Sequence, residues 1–449
     1  MASLRSLWYQ ALTQRLITLP RLTAAHELPR TSLFRSLTLR LMWGFWSRFL
    51  TSGGRYFFLA TVLFLFYAAT AFEIQAFVPL AYAFAVWFFA LVATIFARPR
   101  VALEAHHGSR VAAGEKLSVE LMISGISRRV GGESAVIPHR LPVEIDVVPP
   151  TGAPVAPLPQ GAAQRVQFEL KSERRGVYDL RGYRVETDFP FGLVNAARVF
   201  AAPRQLIVHP RFEPLERLEL PLGQRTQSGG EIFVASRGES LEYIGNRDYR
   251  EGDSVRDIDW RATARLSRPI VREFREEVWV RAALILDNHV PRAAFEQLGI
   301  ERNGPRDLDF ENAVSLAAAC AQYLHRSDFL TEILATGADF HALQAGRGPA
   351  SLDEILDVLA GVESSPEAPW NVLWPRLAPQ LDEITSVVCL FLDWDEARRD
   401  FAALLLDAGV AVKCVVVRSE APTLDPANSW PVAVPILGAE EFRNRVRQL

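Results

Sequence analysis

Three carboxylates, Asp253, Asp257 and Asp259, fall within a single run of seven residues, a density that could hold two divalent cations for a hydrolytic reaction. The same stretch, Gly245 to Phe274, interleaves them with Arg247, Arg250, Arg256, Arg261 and Arg265. Guanidinium groups at that spacing compete for the carboxylate oxygens, so ion pairing is expected there rather than metal chemistry. Tyr249, Val255, Ile258, Trp260 and Phe274 are threaded among the charges, and a solvated linker has no need of them. The stretch reads as an ordered joint whose polar groups pair with one another or with a partner. Its candidate residues for a junction or a partner-binding surface are Arg247, Tyr249, Gly252, Asp253, Arg256, Asp259, Trp260, Arg261 and Arg265.

Local chemistry gives the joint a shape. Glu251-Gly252-Asp253 is a turn signal, and the Asp253 carboxylate suits a helix N-cap. A helix starting there would set Asp257 and Arg261 at i, i+4 with the acid on the amino-terminal side, worth about 0.2–0.5 kcal/mol. Trp260 is expected in the core.

Other chemistry-bearing patterns are weak. Gly238-Glu239-Ser240-Leu241-Glu242 lacks the second glycine of a nucleophile elbow. No phosphate-binding loop, dinucleotide fingerprint or H-E-x-x-H occurs, and the adjacent His106-His107 pair is expected to face solvent. Cys320, Cys389 and Cys414 lie far apart inside apolar runs, which suits reduced core cysteines and no disulfide framework. A net charge of −3 lacks the basic footprint of a nucleic-acid binder. No cofactor is expected.

The run from Arg247 to Arg265, RDYREGDSVRDIDWRATAR, resembles the signature of the bacterial domain of unknown function 58 family, R-x-Y-x-x-G-D-x-x-R-x-I-D-W-x-x-[ST]-A-R. That resemblance implies a membrane-tethered protein with a von Willebrand type A-like domain, working beside a MoxR-type AAA+ ATPase. In type A domains a D-x-S-x-S loop holds a divalent cation. Here the corresponding position reads Asp287-Asn288-His289-Val290-Pro291, with both hydroxyls replaced. Asp393 stands where a second acid would be, and the threonine expected within Ser364–Asn371 has no clear counterpart. The resemblance therefore implies no metal, with Asp287 and Asp393 as remnants of a degenerate site. Glu173–Leu193 resembles a second family pattern, an R-R-G-x-Y strand before a D-P-F-G-L turn. Phe191 and Leu193 are expected to anchor that corner in the core.

The rest of the chain supplies the frame. Residues 1–55 carry arginines and a single acid, Glu27, and their Leu33–Leu50 portion suits a basic amphipathic helix at a headgroup boundary. Residues 56–97 hold two uncharged apolar runs separated by Glu73-Ile74-Gln75-Ala76, which predicts a transmembrane hairpin. Arg40, Arg48, Arg55, Arg98 and Arg100 flank it, placing both termini in the cytoplasm by the positive-inside rule. Residues 100–215 alternate as short strands and predict a β-sandwich. Residues 216–240 read as a linker, 241–279 as the signature segment, and 280–449 as a type A-like α/β domain with a doubly wound sheet. The function expected is that of a non-enzymatic bacterial inner-membrane adaptor for assembly or maturation of a complex. A structural scaffold or homo-oligomer is the alternative, with an aspartate-based, metal-dependent hydrolase behind it.

Overall fold

A computed structural model of the chain describes residues 46, 49–71, 74–96, 98–125, 134–159, 161–221, 241–250, 253, 255–276, 281–291, 308–327, 330–335, 341–345, 349–381, 384–443 and 446–449. The expectations for Gly252, for Gly238–Ser240 and for most of the amphipathic amino-terminal segment lie outside those residues. Two compact units emerge, Met1–Arg211 and Phe212–Leu449.

In the first unit, α1 (Ser52–Ala71) and α2 (Ile74–Phe96) are long and apolar enough to cross a membrane. Their large side chains point outward, with Leu63 68% and Phe66 69% exposed, the reverse of a soluble core helix. Between them the contact uses small residues, Ala68 and Ala76, and a hydrogen bond from Trp87 Nε1 to Thr61 Oγ1 at 3.1 Å. The first helix begins at Ser52, four residues before the uncharged run. Arg55, read from sequence as a flanking charge, is buried in the first turn of that helix and donates from Nε to the Trp46 carbonyl at 3.0 Å.

Among the described residues nine strands follow: β1 (Val101–His106), β2 (Arg110–Ala112), β3 (Lys116–Gly125), β4 (Ser134–Pro138), β5 (Ile145–Val148), β6 (Ala153–Val155), β7 (Ala163–Ser172), β8 (Gly176–Thr187) and β9 (Ala196–His209). They form sheets ordered β1-β3-β7-β5 and β2-β9-β8-β4-β6, antiparallel but for the β2–β9 pair. Alternation along β3 buries Val119, Leu121 and Ile123 against Val136, Tyr183 and Leu206 of the other sheet, in one shared core.

The corner between β8 and β9 overturns one expectation. Phe191 is 51% exposed and Phe189 47%, so neither is in the core; the buried residue there is Val194, bridged to Leu50. Leu50, expected at a headgroup boundary, is itself fully buried. The corner holds the base of α1: Thr51 N–H donates to the Leu193 carbonyl at 3.1 Å, and Asn195 N–H to the Phe49 carbonyl at 2.9 Å. The Thr51 hydroxyl donates to the Gly192 carbonyl. A Cβ on Gly54 would fall 2.0 Å from the Leu193 carbonyl oxygen, so only glycine allows the helix backbone to lie this close.

The second unit carries a six-stranded sheet of β12 (Arg281–Leu286), β13 (Leu330–Ala335), β14 (His341–Ala345), β15 (Ser386–Phe391), β16 (Ala411–Val417) and β17 (Ile436–Leu437), preceded by β10 (Leu241–Asp248) and β11 (Ile270–Glu276), which pair as a separate two-stranded ribbon. The six are ordered β14-β13-β12-β15-β16-β17, all parallel except the β13–β14 pair. Among the described residues its longer helices, in chain order, are α3 (Trp260–Leu266), α4 (Leu308–Arg326), α5 (Pro349–Gly361), α6 (Trp370–Leu377) and α7 (Glu396–Asp407), the first lying between the two strands of the ribbon. Leu284 and Leu286 join one core with α4, while Ala283 and Ile285 join another with α6 and α7. Burial on both faces explains why these strands read as unbroken apolar runs.

Residues 216–221, the described part of the segment read as a linker at 216–240, pack against the core of the second unit. Leu215 and Leu218 are buried in the core beneath α4. Glu216 and Glu219 donate their N–H groups to the Arg447 and Leu449 carbonyls, both at 2.8 Å, and Leu449 returns a bond to Arg217 at 3.1 Å.

Candidate functional site

The signature segment is built on the β10–β11 ribbon, whose register runs from Leu241 opposite Glu276 to Asp248 opposite Ile270. Between the strands lie a 3₁₀ turn at Val255–Asp257 and the short helix α3. The N-cap of that helix is Asp259, not Asp253: its Oδ1 accepts the Arg261 and Ala262 N–H groups at 3.0 Å each. Its Oδ2 accepts from Asn246 Nδ2 at 3.2 Å, tying the helix to β10. Asp257 precedes the helix, so the expected pairing with Arg261 along one helical face does not arise.

Asp253 does different work. Arg247 grips it in a fork, Nη1 to Oδ2 at 2.7 Å and Nη2 to Oδ1 at 2.8 Å, and the Arg250 N–H donates to Oδ2 at 2.7 Å. The Arg247 hydrogen bonds, then the Arg250 backbone bond, hold the Asp253 carboxyl down at about 2. Asp259 is also lowered, through the Ala262 N–H and the Asn246 amide. Thr263 Oγ1 accepts the Ile270 N–H at 3.0 Å, and Asp259 N–H donates to the Ile270 carbonyl at 2.8 Å. The inward side chains are small or aliphatic: Ile258, Ala262, Ile270 and Val271 are all buried.

Trp260 is 65% exposed, which overturns its placement in the core. On a helix of 3.6 residues per turn, Trp260, Ala264, Arg261 and Arg265 share one continuous arc that leaves out buried Ala262, with Trp260 and Ala264 farthest from it. All four are exposed. Arg256 is exposed beside them in sequence, as are Val255 at 64% and Tyr249 at 38%. Asp253 and Asp259 are thus committed to the frame of the joint, and aromatic and guanidinium groups are left outward.

A second cluster lies where the sheet order reverses, at the carboxyl ends of β12 and β15, the place where open α/β sheets gather ligands. Asp287 is fully buried there; its Oδ1 accepts the His289 N–H at 2.8 Å and its Oδ2 the Leu392 N–H at 3.0 Å. Oδ2 also accepts from Arg398 Nε of α7 at 2.7 Å. The other guanidinium nitrogens reach Asp395 Oδ2 at 2.5 Å and the His289 carbonyl at 3.0 Å, and the group lies 5.6 Å from the Trp370 ring. Burial works against the Arg398 charge, but Asp287 and Asp395 outweigh it and raise its pKa. Two carboxylate oxygens and a carbonyl, a set that would suit a hard divalent cation, surround an arginine instead.

The residues present do not fit the cation implied by a type A resemblance. Asp393 is occupied by the Trp394 N–H at 2.7 Å, the Thr423 N–H at 2.9 Å, the Thr423 hydroxyl at 2.6 Å and Arg418. Burial alone would raise its pKa, yet those bonds and the Arg418 charge lower it. Ser365 does run beside this loop, accepting the Val290 N–H at 2.9 Å and donating its own to the Asn288 carbonyl at 2.8 Å. Its hydroxyl, however, accepts from the Glu367 N–H at 3.2 Å. Among the described residues no group of three or more His, Cys, Asp or Glu could hold a metal ion. The three cysteines are free and buried, and burial pushes the Cys320 thiol up to about 12 and Cys389 well above its ordinary value, far from a reactive thiolate.

Sequence reading missed Arg398, Asp395, Asn246 and Thr263. Asp395-x-x-Arg398 at the start of an amphipathic helix was the available signal for the first two. These features define a mixed α/β protein with two apolar amino-terminal helices and several sheets. Residues 245–368 match the family described as Protein of unknown function DUF58, which supports that family over the signature segment and the first part of the six-stranded sheet. No curated protein matches the chain. Among solved structures, the CARDB domain of the PF1109 protein from Pyrococcus furiosus, in complex with di-metal ions, is similar at 12% identity and a TM-score of 0.16. It is matched over 89% of its length and 25% of this chain, and a likeness of that size carries no argument.

Proposed function

We propose that the chain is a non-enzymatic, membrane-anchored adaptor whose partner-binding surface is the outward face of α3. The observation that carries this reading is the division of labour within the signature segment. Asp253 and Asp259 brace the joint, while Trp260, Arg261 and Arg265 stand exposed on one helical face. Tryptophan and arginine are the residues most enriched among energetic hot spots of protein interfaces. A pair of carboxylates bonded to arginine and to backbone N–H groups offers no free base and no metal ligand set, which favours binding over hydrolysis.

The anchor in this reading is the α1–α2 hairpin, spanning a bacterial inner membrane with both of its ends in the cytoplasm. The strand order of the second unit, with one antiparallel edge and cores on both faces, supports a von Willebrand type A-like, doubly wound domain. By resemblance the partner is a MoxR-type AAA+ ATPase, and the task is assembly or maturation of a complex. Co-purification of the full chain from detergent, with ATP or ADP present, tests the assignment. Wild type is expected to bring down an AAA+ protein and Trp260→Glu/Arg265→Glu to lose it. Recovery of an AAA+ protein by neither would overturn the partner, and equal recovery by both would overturn the surface.

A further inference from the structure

We infer that Phe189 and Phe191 are lipid-contacting residues, dipping into the headgroup–acyl boundary of the bilayer and fixing the sandwich against it. This rests on the reading of α1 and α2 as membrane spans. Both rings are about half exposed, at 47% and 51%, on a corner that is otherwise tightly built. That corner is not remote from the membrane helices: it is bonded to the base of α1 through Thr51 and Phe49, and the Gly54 backbone lies directly on Leu193. The phenylalanines are therefore held at the level where α1 begins.

The helix itself marks that level. Tyr56 is 55% exposed one turn above Ser52, and Trp46 packs edge-on against Phe58 with ring centroids 5.7 Å apart. Aromatic side chains with polar tips collect at membrane–water interfaces. Tyr56 lies five positions beyond Thr51, about 7.5 Å of helical rise, within the depth that interfacial apolar groups reach. Two exposed phenylalanines on a corner bonded to the base of α1 would bury their apolar surface by entering lipid, whereas in water that surface stays exposed. The occupant is the phospholipid of the bilayer that the chain spans.

Spin labels on single introduced cysteines of the full chain in lipid nanodiscs test the inference, since Cys320, Cys389 and Cys414 are buried. Labels at Phe189→Cys and Phe191→Cys are expected to be several-fold more accessible to oxygen than to an aqueous nickel chelate. A label at Asp146→Cys on β5, an exposed site in the sandwich, is expected to show the opposite preference. Leu63→Cys, within α1, is the reference for lipid depth. A lipid-buried label at Leu63→Cys with water-exposed labels at Phe189→Cys and Phe191→Cys would overturn the inference alone. A water-exposed label at Leu63→Cys would overturn the spanning reading and the inference with it.

Discussion

Arg398 and Asp287, 111 positions apart, meet at 2.7 Å with side chains no more than 1% exposed, at the point where the six-stranded sheet reverses its order. The pair puts a guanidinium between two carboxylates and a carbonyl. Its position in α7 lets one residue neutralise Asp287 and also bond Asp395, the N-cap of that helix.

Removing one member should therefore be worse than removing both. Arg398→Leu leaves a buried carboxylate without its counter-charge and is expected to cost about 3–5 kcal/mol. Asp287→Asn/Arg398→Leu should recover much of that loss, which denaturant unfolding of the full chain in detergent would measure. Mg²⁺ or Mn²⁺ should leave the melting temperature of the wild type unchanged. A cation-dependent rise abolished by Asp287→Asn would contradict the assignment.

In the signature segment the ordering of side chains predicts opposite effects for neighbours. Trp260→Ala should change stability by no more than about 0.5 kcal/mol, as expected for a surface position. Ile258→Ala, in the buried layer against Val271, should cost about 2 kcal/mol. Melting curves of the two variants decide it, and a larger loss for Trp260→Ala would return the indole to the core.

Acid should loosen the joint late. The Asp253 carboxyl titrates at about 2 against an ordinary value of 3.8, so its stabilising contribution is fully present above the ordinary value and is lost as pH falls through about 2. Carboxyl carbon shifts of Asp253 followed by NMR should show that depressed titration. Arg247→Ala should move it back toward the ordinary value, because the fork is its largest cause.

Gly54 carries the contact between the first apolar helix and the β8–β9 corner. Gly54→Val should force the two backbones apart, since even a Cβ falls 2.0 Å from the Leu193 oxygen. Proteolysis near Phe189–Leu193 should accelerate in that variant and not in Gly192→Ala. Although Gly192 has φ of 65°, a Cβ there meets nothing within 4 Å, so its substitution strains the turn without pushing on the helix.

Where burial is uniform, the sequence is readable. The apolar run Thr385–Asp393 contains β15 almost residue for residue, because both faces of that strand meet a core and no polar alternation interrupts it. The two uncharged segments likewise declare their helices, the first extended by one polar turn at Ser52. Trp260 was misread because hydrophobicity gives a residue's preference, not its direction. In a seven-residue helix only Ala262 marks the inward side, and an alanine is a faint signal. Phe191 failed the same way. Arg398 was missed for another reason: Asp395-x-x-Arg398 signals a helix start, but the partner that buries the arginine, Asp287, lies 111 positions away in sequence.

The bonds joining residues 216–219 to Arg447 and Leu449 have a mechanical consequence. Chain leaving the first unit enters the second through a segment clasped, by a parallel bridge at Arg217 and Gln448, to the second unit's far end. The same segment is bonded to the sheet itself, the Glu219 carbonyl accepting from Lys413 Nζ at 3.0 Å and the Pro221 carbonyl from the Ser386 hydroxyl at 2.6 Å, so a pull along the backbone loads the clasp, β15 and β16 together.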